Sequence, residues 1–211
     1  MSNRTELRAR LRLELGDTGT TSLWSDTFLD DLLVEAGEWY SRLWPRHATG
    51  YRDVASGDRT FAVPDGALGI SGVECPPGLA LPQEASAVIG ASLQTGVRQT
   101  WSLWGDEILL GRAASGDEVG SSSLVIRHLL PWDRLDPVEP WNGPEGDERL
   151  LILWSAAQAY AWLEGQEGKR ARNPAAGASS TRYADQLERE ISARRRAASG
   201  AHPPGGCAAC S

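Results

Sequence analysis

One helix in this chain is too apolar for its sequence neighbours to cover, and that requirement governs the fold. Residues 22–45 read SLWSDTFLDDLLVEAGEWYSRLWP. Ser25 is a good N-cap, Asp26 and Asp30 lie near the positive end of the helix dipole, and Pro45 ends the helix. Trp24, just ahead of the cap, is placed to pack on Leu29 as a hydrophobic staple. Phe28, Leu29, Leu32, Leu33, Ala36, Trp39, Tyr40 and Leu43 follow helical spacing and make a wide apolar face, with Asp31, Glu35, Glu38 and Arg42 mostly opposite. Burying such a face is worth about 1.5–3 kcal/mol per large side chain. The segment before it offers only a short helix over residues 3–15, capped at Asn3 or Thr5, striped by Leu7, Leu11 and Leu15, and stopped by Gly16. A later part of the chain must return to complete the cover.

Residues 147–165, DERLLILWSAAQAYAWLEG, supply that return. Leu150, Leu151, Trp154, Ala157, Tyr160, Ala161 and Leu163 form the apolar face, Trp154 is well placed to meet Trp39, and Gly165 stops the helix. A last helix is expected from near Ser180 to about Ala198. Its apolar stripe, Tyr183, Leu187 and Ile191, is narrow, and Asp185–Arg189 and Glu190–Arg194 are i,i+4 pairs. Between the two helical ends, residues 50–130 change character. Tyr51–Val54 and Thr60–Val63 flank ASGD, which reads as a hairpin turn. Further strand-like runs cover 68–74, 85–93, 99–104, 107–112 and 122–129, with another tight turn at WGDE, 104–107. The expected class is α+β: a helical bundle of N- and C-terminal helices with an inserted small antiparallel β-sandwich or barrel. The divisions are 1–46, the N-terminal helices; 47–130, the β insert; 131–146, an exposed Pro-rich connection; 147–199, the C-terminal helices; and 200–211, a flexible tail.

The formal net charge is −7 and the pI about 5.0, which argues against a general duplex-DNA binder needing a basic footprint. Lys169 is the one lysine, so positive charge is nearly all arginine. No apolar run is long enough to span a membrane, and the charged N-terminal stretch lacks a signal core. Together with three cysteines, an odd number, this predicts a protein made and used in a cytoplasm.

Little in the chain is arranged for catalysis. Cys207-x-x-Cys210 with His202 offers three metal ligands, one short of a closed structural zinc site, or a redox pair, and is more simply read as part of the tail. His47 and His128 stand beside no nucleophile, and His128 reads as a partly exposed sheet residue. Asp30-Asp31 and the group Glu145, Asp147 and Glu148 fall in early helical turns, where the dipole accounts for them. No phosphate-binding glycine loop is present. No cofactor is expected.

The nine tryptophans are the unusual feature. Trp24, Trp44, Trp132 and Trp141 lie at element ends or in the Pro-rich connection, and tryptophan is enriched at protein interfaces. The candidate interface residues are these four, the stripe Tyr183, Leu187 and Ile191, and Arg194, Arg195 and Arg196 near the end of the last helix.

The opening stretch, with Gly16-Asp17, Trp24-Ser25-Asp26, and Leu29, Leu33 and Ala36, resembles the start of tailed-phage head–tail connector (adaptor) proteins. Phe61, Pro64, Val73 and Glu74 resemble the insert of longer adaptors, and the late helix pair completes the same plan over most of residues 6–196. The resemblance implies a structural virion protein and no enzyme. It implies a ring, usually of about twelve copies, docked on the portal protein in the neck. DNA would pass through the lumen without sequence-specific binding, and the ring would join the capsid to a tail or stopper protein. Such a protein is made in the host bacterial cytoplasm. A neck stopper, a tail-completion ring and a cellular protein-binding module are the alternatives.

Overall fold

The computed structural model describes residues 1–19, 22–84, 99–166 and 175–200. Among them are four helices and six strands: α1 (Arg4–Leu15), α2 (Asp26–Leu43), β1 (Arg46–Val54), β2 (Thr60–Ala62), β3 (Gly69–Glu74), β4 (Trp101–Trp104), β5 (Glu107–Leu110), β6 (Gly120–Leu130), α3 (Glu148–Glu164) and α4 (Ala176–Gly200). The expected strand at 85–93 and the tail from residue 201 lie outside the described residues. The chain divides into two compact units, Met1–Tyr40 with the segment from Trp132 onward, and Ser41–Pro131. The division falls six residues earlier than the expected start of the insert, so the last turn of α2 belongs with the strands.

The helical unit forms as its sequence dictates. Asn3 and Glu6 cap α1 reciprocally, and Gly16 closes it in the left-handed conformation at φ 68°. The Ser25 hydroxyl accepts the Phe28 N–H (3.2 Å) at the start of α2. Leu7, Leu11, Leu29, Leu33, Ala36 and Tyr40 are fully buried with Leu151, Ala156, Ala159 and Leu163 of α3. Trp39 stacks on Trp154 with centroids 6.0 Å apart, and Phe28 meets Trp162 at 4.8 Å. α4 begins about a turn before Ser180, because alanine-rich sequence sustains a helix without apolar periodicity. Residues 131–146 contain no helix or strand, as expected, yet they are no free connection. Leu135 and Trp141 are buried, the Arg4 N–H donates to Asp136 O (2.9 Å), and the Trp141 N–H donates to Ser2 O (3.1 Å).

The β unit holds two three-stranded antiparallel sheets, ordered β1-β6-β3 and β2-β5-β4. They do not close into a barrel. Val54, Val73, Leu124 and Ile126 from the first sheet share one buried cluster with Phe61, Trp101, Ile108 and Leu110 from the second. The ASGD reading is corrected here. It is a turn, with Asp58 accepting the Ala55 N–H (2.7 Å), but β1 pairs with β6 and β2 with β5, so the turn crosses between sheets and makes no hairpin. WGDE is a true two-residue hairpin, with Trp104 opposite Glu107 and Gly105 at φ 58°. His128, expected partly exposed, is 6% exposed, with Nδ1 3.2 Å from Ile126 O.

Candidate functional site

Asp17, Trp24 and Asp26 meet Arg12 in one knot at the head of α2. Gly16 turns the chain so that Asp17 faces the returning loop. The Asp17 carboxylate accepts the Leu23 N–H at 2.7 Å and the Trp24 N–H at 3.5 Å. The Arg12 guanidinium joins Asp17 (2.5 Å) and Asp26 (2.6 Å) and donates to Trp24 O (3.0 Å). Its hydrogen bond holds the Asp26 carboxyl below the ordinary range, assisted by the charge of Arg8. Next to this knot, Ser22, Leu23, Trp24, Ser25, Phe28 and Trp162 line a cleft.

A second anchoring centre lies at the start of α3. Asp147 accepts the Tyr40 hydroxyl and pairs with Arg194, whose guanidinium lies 5.8 Å from the Tyr40 ring centroid. Burial pushes the Tyr40 hydroxyl up, against the pull of Arg194. Glu148 accepts the Ser2 N–H and pairs with Arg10, both at 2.5 Å. Burial works to raise the Glu148 carboxyl, but the Ser2 N–H and Arg10 outweigh it and the net shift is downward. Asp147 and Glu148 therefore hold α2, α4 and the N-terminal segment to the start of α3 as well as facing the helix dipole.

The structure separates the candidate interface residues. Trp24 and Trp141 are each 3% exposed, and Tyr183 is 2% exposed. Trp24 packs edge-on against Tyr160 (5.5 Å), and Tyr183 stacks on Tyr160 (5.7 Å) and donates to Glu14 O (2.8 Å). Trp141 packs edge-on against Tyr40 at 5.2 Å and Trp132 at 6.4 Å. These three are interior side chains of the helical unit, which corrects the reading of Trp24 and Trp141 as surplus edge aromatics and of Tyr183 as part of an interface stripe. Trp24 and Tyr183 both pack on Tyr160 of α3, while Trp141 packs on Tyr40 of α2. Trp44, Trp132, Leu187 and Ile191 are half-buried, and Arg195 and Arg196 are exposed. Arg194 is committed to Asp147. His202, Cys207 and Cys210 lie outside the described residues. Among the described residues, no three His, Cys, Asp or Glu groups are placed to hold a metal ion.

Two exposed aromatics fall elsewhere than expected. Trp104 at the β4–β5 hairpin is 63% exposed, and Tyr51 on β1 is 57% exposed. Trp104 was legible as a hairpin-tip residue in WGDE. Tyr51 carried no signal, because one aromatic in a strand of mixed polarity fits either face. No family model matches the chain, and comparison with curated proteins finds no match. No helix among the described residues is long and apolar enough to cross a membrane.

Proposed function

We propose that the chain is a structural head-to-tail adaptor of a tailed-phage virion, forming a ring on the portal that extends the DNA channel and receives the tail. In this reading the helical unit is a closed bundle with the β unit inserted into it. One observation carries the proposal. Gly16-Asp17 and Trp24-Ser25-Asp26, the ordered combination that resembles adaptors, are one physical unit clamped by Arg12, and Leu29, Leu33 and Ala36 behind it are all fully buried. A combination that folds as one piece is a stronger sign of shared architecture than separate caps and turns. The acidic balance supports the lumen role, since a net charge of −7 repels passing phosphates. The exposed basic end of α4, at Arg195 and Arg196, is the surface assigned to portal docking.

Electron microscopy of the protein mixed with the portal protein of the same genome tests this. The expected result is a second ring stacked on the portal with matching copy number. A chain that binds the far side of a preassembled adaptor ring, and never the portal itself, is a stopper and overturns the adaptor assignment.

A further inference from the structure

The two helices that flank α3 turn complementary charge outward. The Ser155 hydroxyl of α3 donates to Leu32 O of α2 (3.3 Å), and Trp162 meets Phe28, whereas Arg149 pairs with Glu190 of α4 (3.4 Å) and Tyr160 stacks on Tyr183. At about 100° per residue, Ser155 and Trp162 share one side of α3, and Arg149 and Tyr160 share another about 140° round. On α2 the line Leu29, Leu33, Ala36 and Tyr40 faces inward, so Asp31, Glu35 and Glu38 point away and are exposed. These three carboxylates pair with no described residue, although like charges at this spacing repel. On α4 Tyr183 and Arg194 face inward, so Arg182 and Arg189, about two turns apart, point away and are exposed. Arg189 has no partner among the described residues, and Arg182 lies over the uncharged ring of its own neighbour Tyr183 (4.7 Å). With them, Ala178, Thr181 and Gln186 line a groove along this face.

The heights of the two charged faces match. Leu32 stands level with Ser155, and Tyr40 reaches Asp147. The Ser180 hydroxyl donates to Ala157 O (3.3 Å), and Arg194 reaches the same Asp147. Both outer helices therefore run antiparallel to α3 and parallel to each other. Asp31 and Arg182 share one level, and Glu38 and Arg189 share another about two turns further along. A second copy placed beside this one by rotation alone, about an axis along the helices, brings its α4 parallel to α2 at that same level. Asp31 then meets Arg182, Glu38 meets Arg189, and Glu35 falls opposite Gln186. An antiparallel approach making the same two ion pairs would set Glu35 against Asp185, and a two-fold pairing through α2 would set acid against acid.

We infer that the acidic face of α2 docks on the Arg182–Arg189 face of α4 in a second copy of this chain. The contact is heterologous, joining two different surfaces, so each copy keeps one face of each kind for its next neighbour. Because the paired residues stand at equal heights, the contact needs no rise along the axis. That is the condition for copies to close into a ring instead of winding into a filament. The pairing of the two faces rests on charge and level alone. Its closure into the lateral contact of a portal-bound ring rests on the adaptor reading.

Sedimentation velocity of the full chain tests the contact. The parent chain is expected to self-associate at low ionic strength and to dissociate as salt rises. Asp31→Arg with Glu38→Arg, and separately Arg182→Glu with Arg189→Glu, each weaken self-association about tenfold or more, because like charges then face each other. An equimolar mixture of the two variants restores it, since the reversed α2 of one fits the reversed α4 of the other. Glu38→Arg and Arg189→Glu, which break no described contact, repeat the comparison singly, with circular dichroism to show each variant folded. A parent chain that stays monomeric at low ionic strength, a variant that associates as the parent does, or folded variants whose mixture stays monomeric would each overturn the contact. Restored association with no binding to the portal removes the adaptor reading and leaves the contact standing. A ring on the portal that ignores both charge reversals does the converse.

Discussion

At the scale of single residues, Asp17 does more than its place in a turn suggests. A Gly-Asp pair after a helix reads as turn chemistry, and the sequence says no more than that. The carboxylate in fact satisfies the Leu23 N–H and pairs with Arg12 while itself nearly buried, so its removal strands a donor and leaves Arg12 with Asp26 as its one remaining carboxylate. Asp17→Ala is expected to cost about 2–3 kcal/mol, read as a lowered urea midpoint with unchanged m-value. Glu148 gives the pH counterpart. Its folded-state pKa lies below its unfolded value, so its stabilisation is fully present above the unfolded value. That stabilisation is lost as pH falls through the folded value. Glu148→Gln therefore flattens the acid limb of a stability-versus-pH curve and lowers stability at neutral pH; an acid limb as steep as in the parent chain would show that other carboxylates carry it. The partners of Asp17, Asp147 and Glu148 were illegible for different reasons. Arg12 is near in sequence but one of many arginines, whereas Ser2, Arg10 and Tyr40 reach α3 only through the tertiary fold.

At the scale of elements, what could be read was set by periodicity. α2 and α3 announce themselves through apolar spacing, and the stacking of Trp39 on Trp154 follows from putting the two faces together. Turn residues announce only that the chain reverses. ASGD and WGDE look alike, yet one crosses between sheets and the other joins neighbours, because the choice depends on where β6 lies, more than sixty residues after the first turn and far outside its local sequence. Residues 131–146 were legible as irregular but not as anchored, since prolines hide a buried leucine and tryptophan from any periodic pattern. Gly143 tests that anchor. A Cβ added there would run into the Trp141 ring, itself buried against Tyr40. Gly143→Ala is expected to destabilise by about 1–3 kcal/mol and to shift the tryptophan emission of the folded chain. The same substitution at Gly146 meets no neighbouring atom but has φ 89°, so its smaller cost is backbone strain alone and leaves the emission unchanged.

At the scale of the whole molecule, the arginines near the end of α4 allow stability and the proposed portal contact to be tested separately. They are consecutive in sequence, and the sequence treats them as one basic cluster. The fold divides them, because only one position per turn can face α3. Arg194 is the position that reaches Asp147 and the Tyr40 ring, while Arg195 and Arg196 stand exposed. Arg194→Glu sets a carboxylate against Asp147 and is expected to cost about 1–3 kcal/mol in a denaturant titration. The double change Arg195→Glu with Arg196→Glu falls on exposed side chains and is expected to cost less than Arg194→Glu in the same titration. If the chain is the proposed adaptor, portal affinity runs the other way. The double change weakens it most at low ionic strength, where exposed charges are least screened, and raising salt narrows the gap to the parent chain. If portal binding by the double variant equals the parent's at every ionic strength, the end of α4 is a solvated helix terminus and the proposed docking belongs to another surface of the protein.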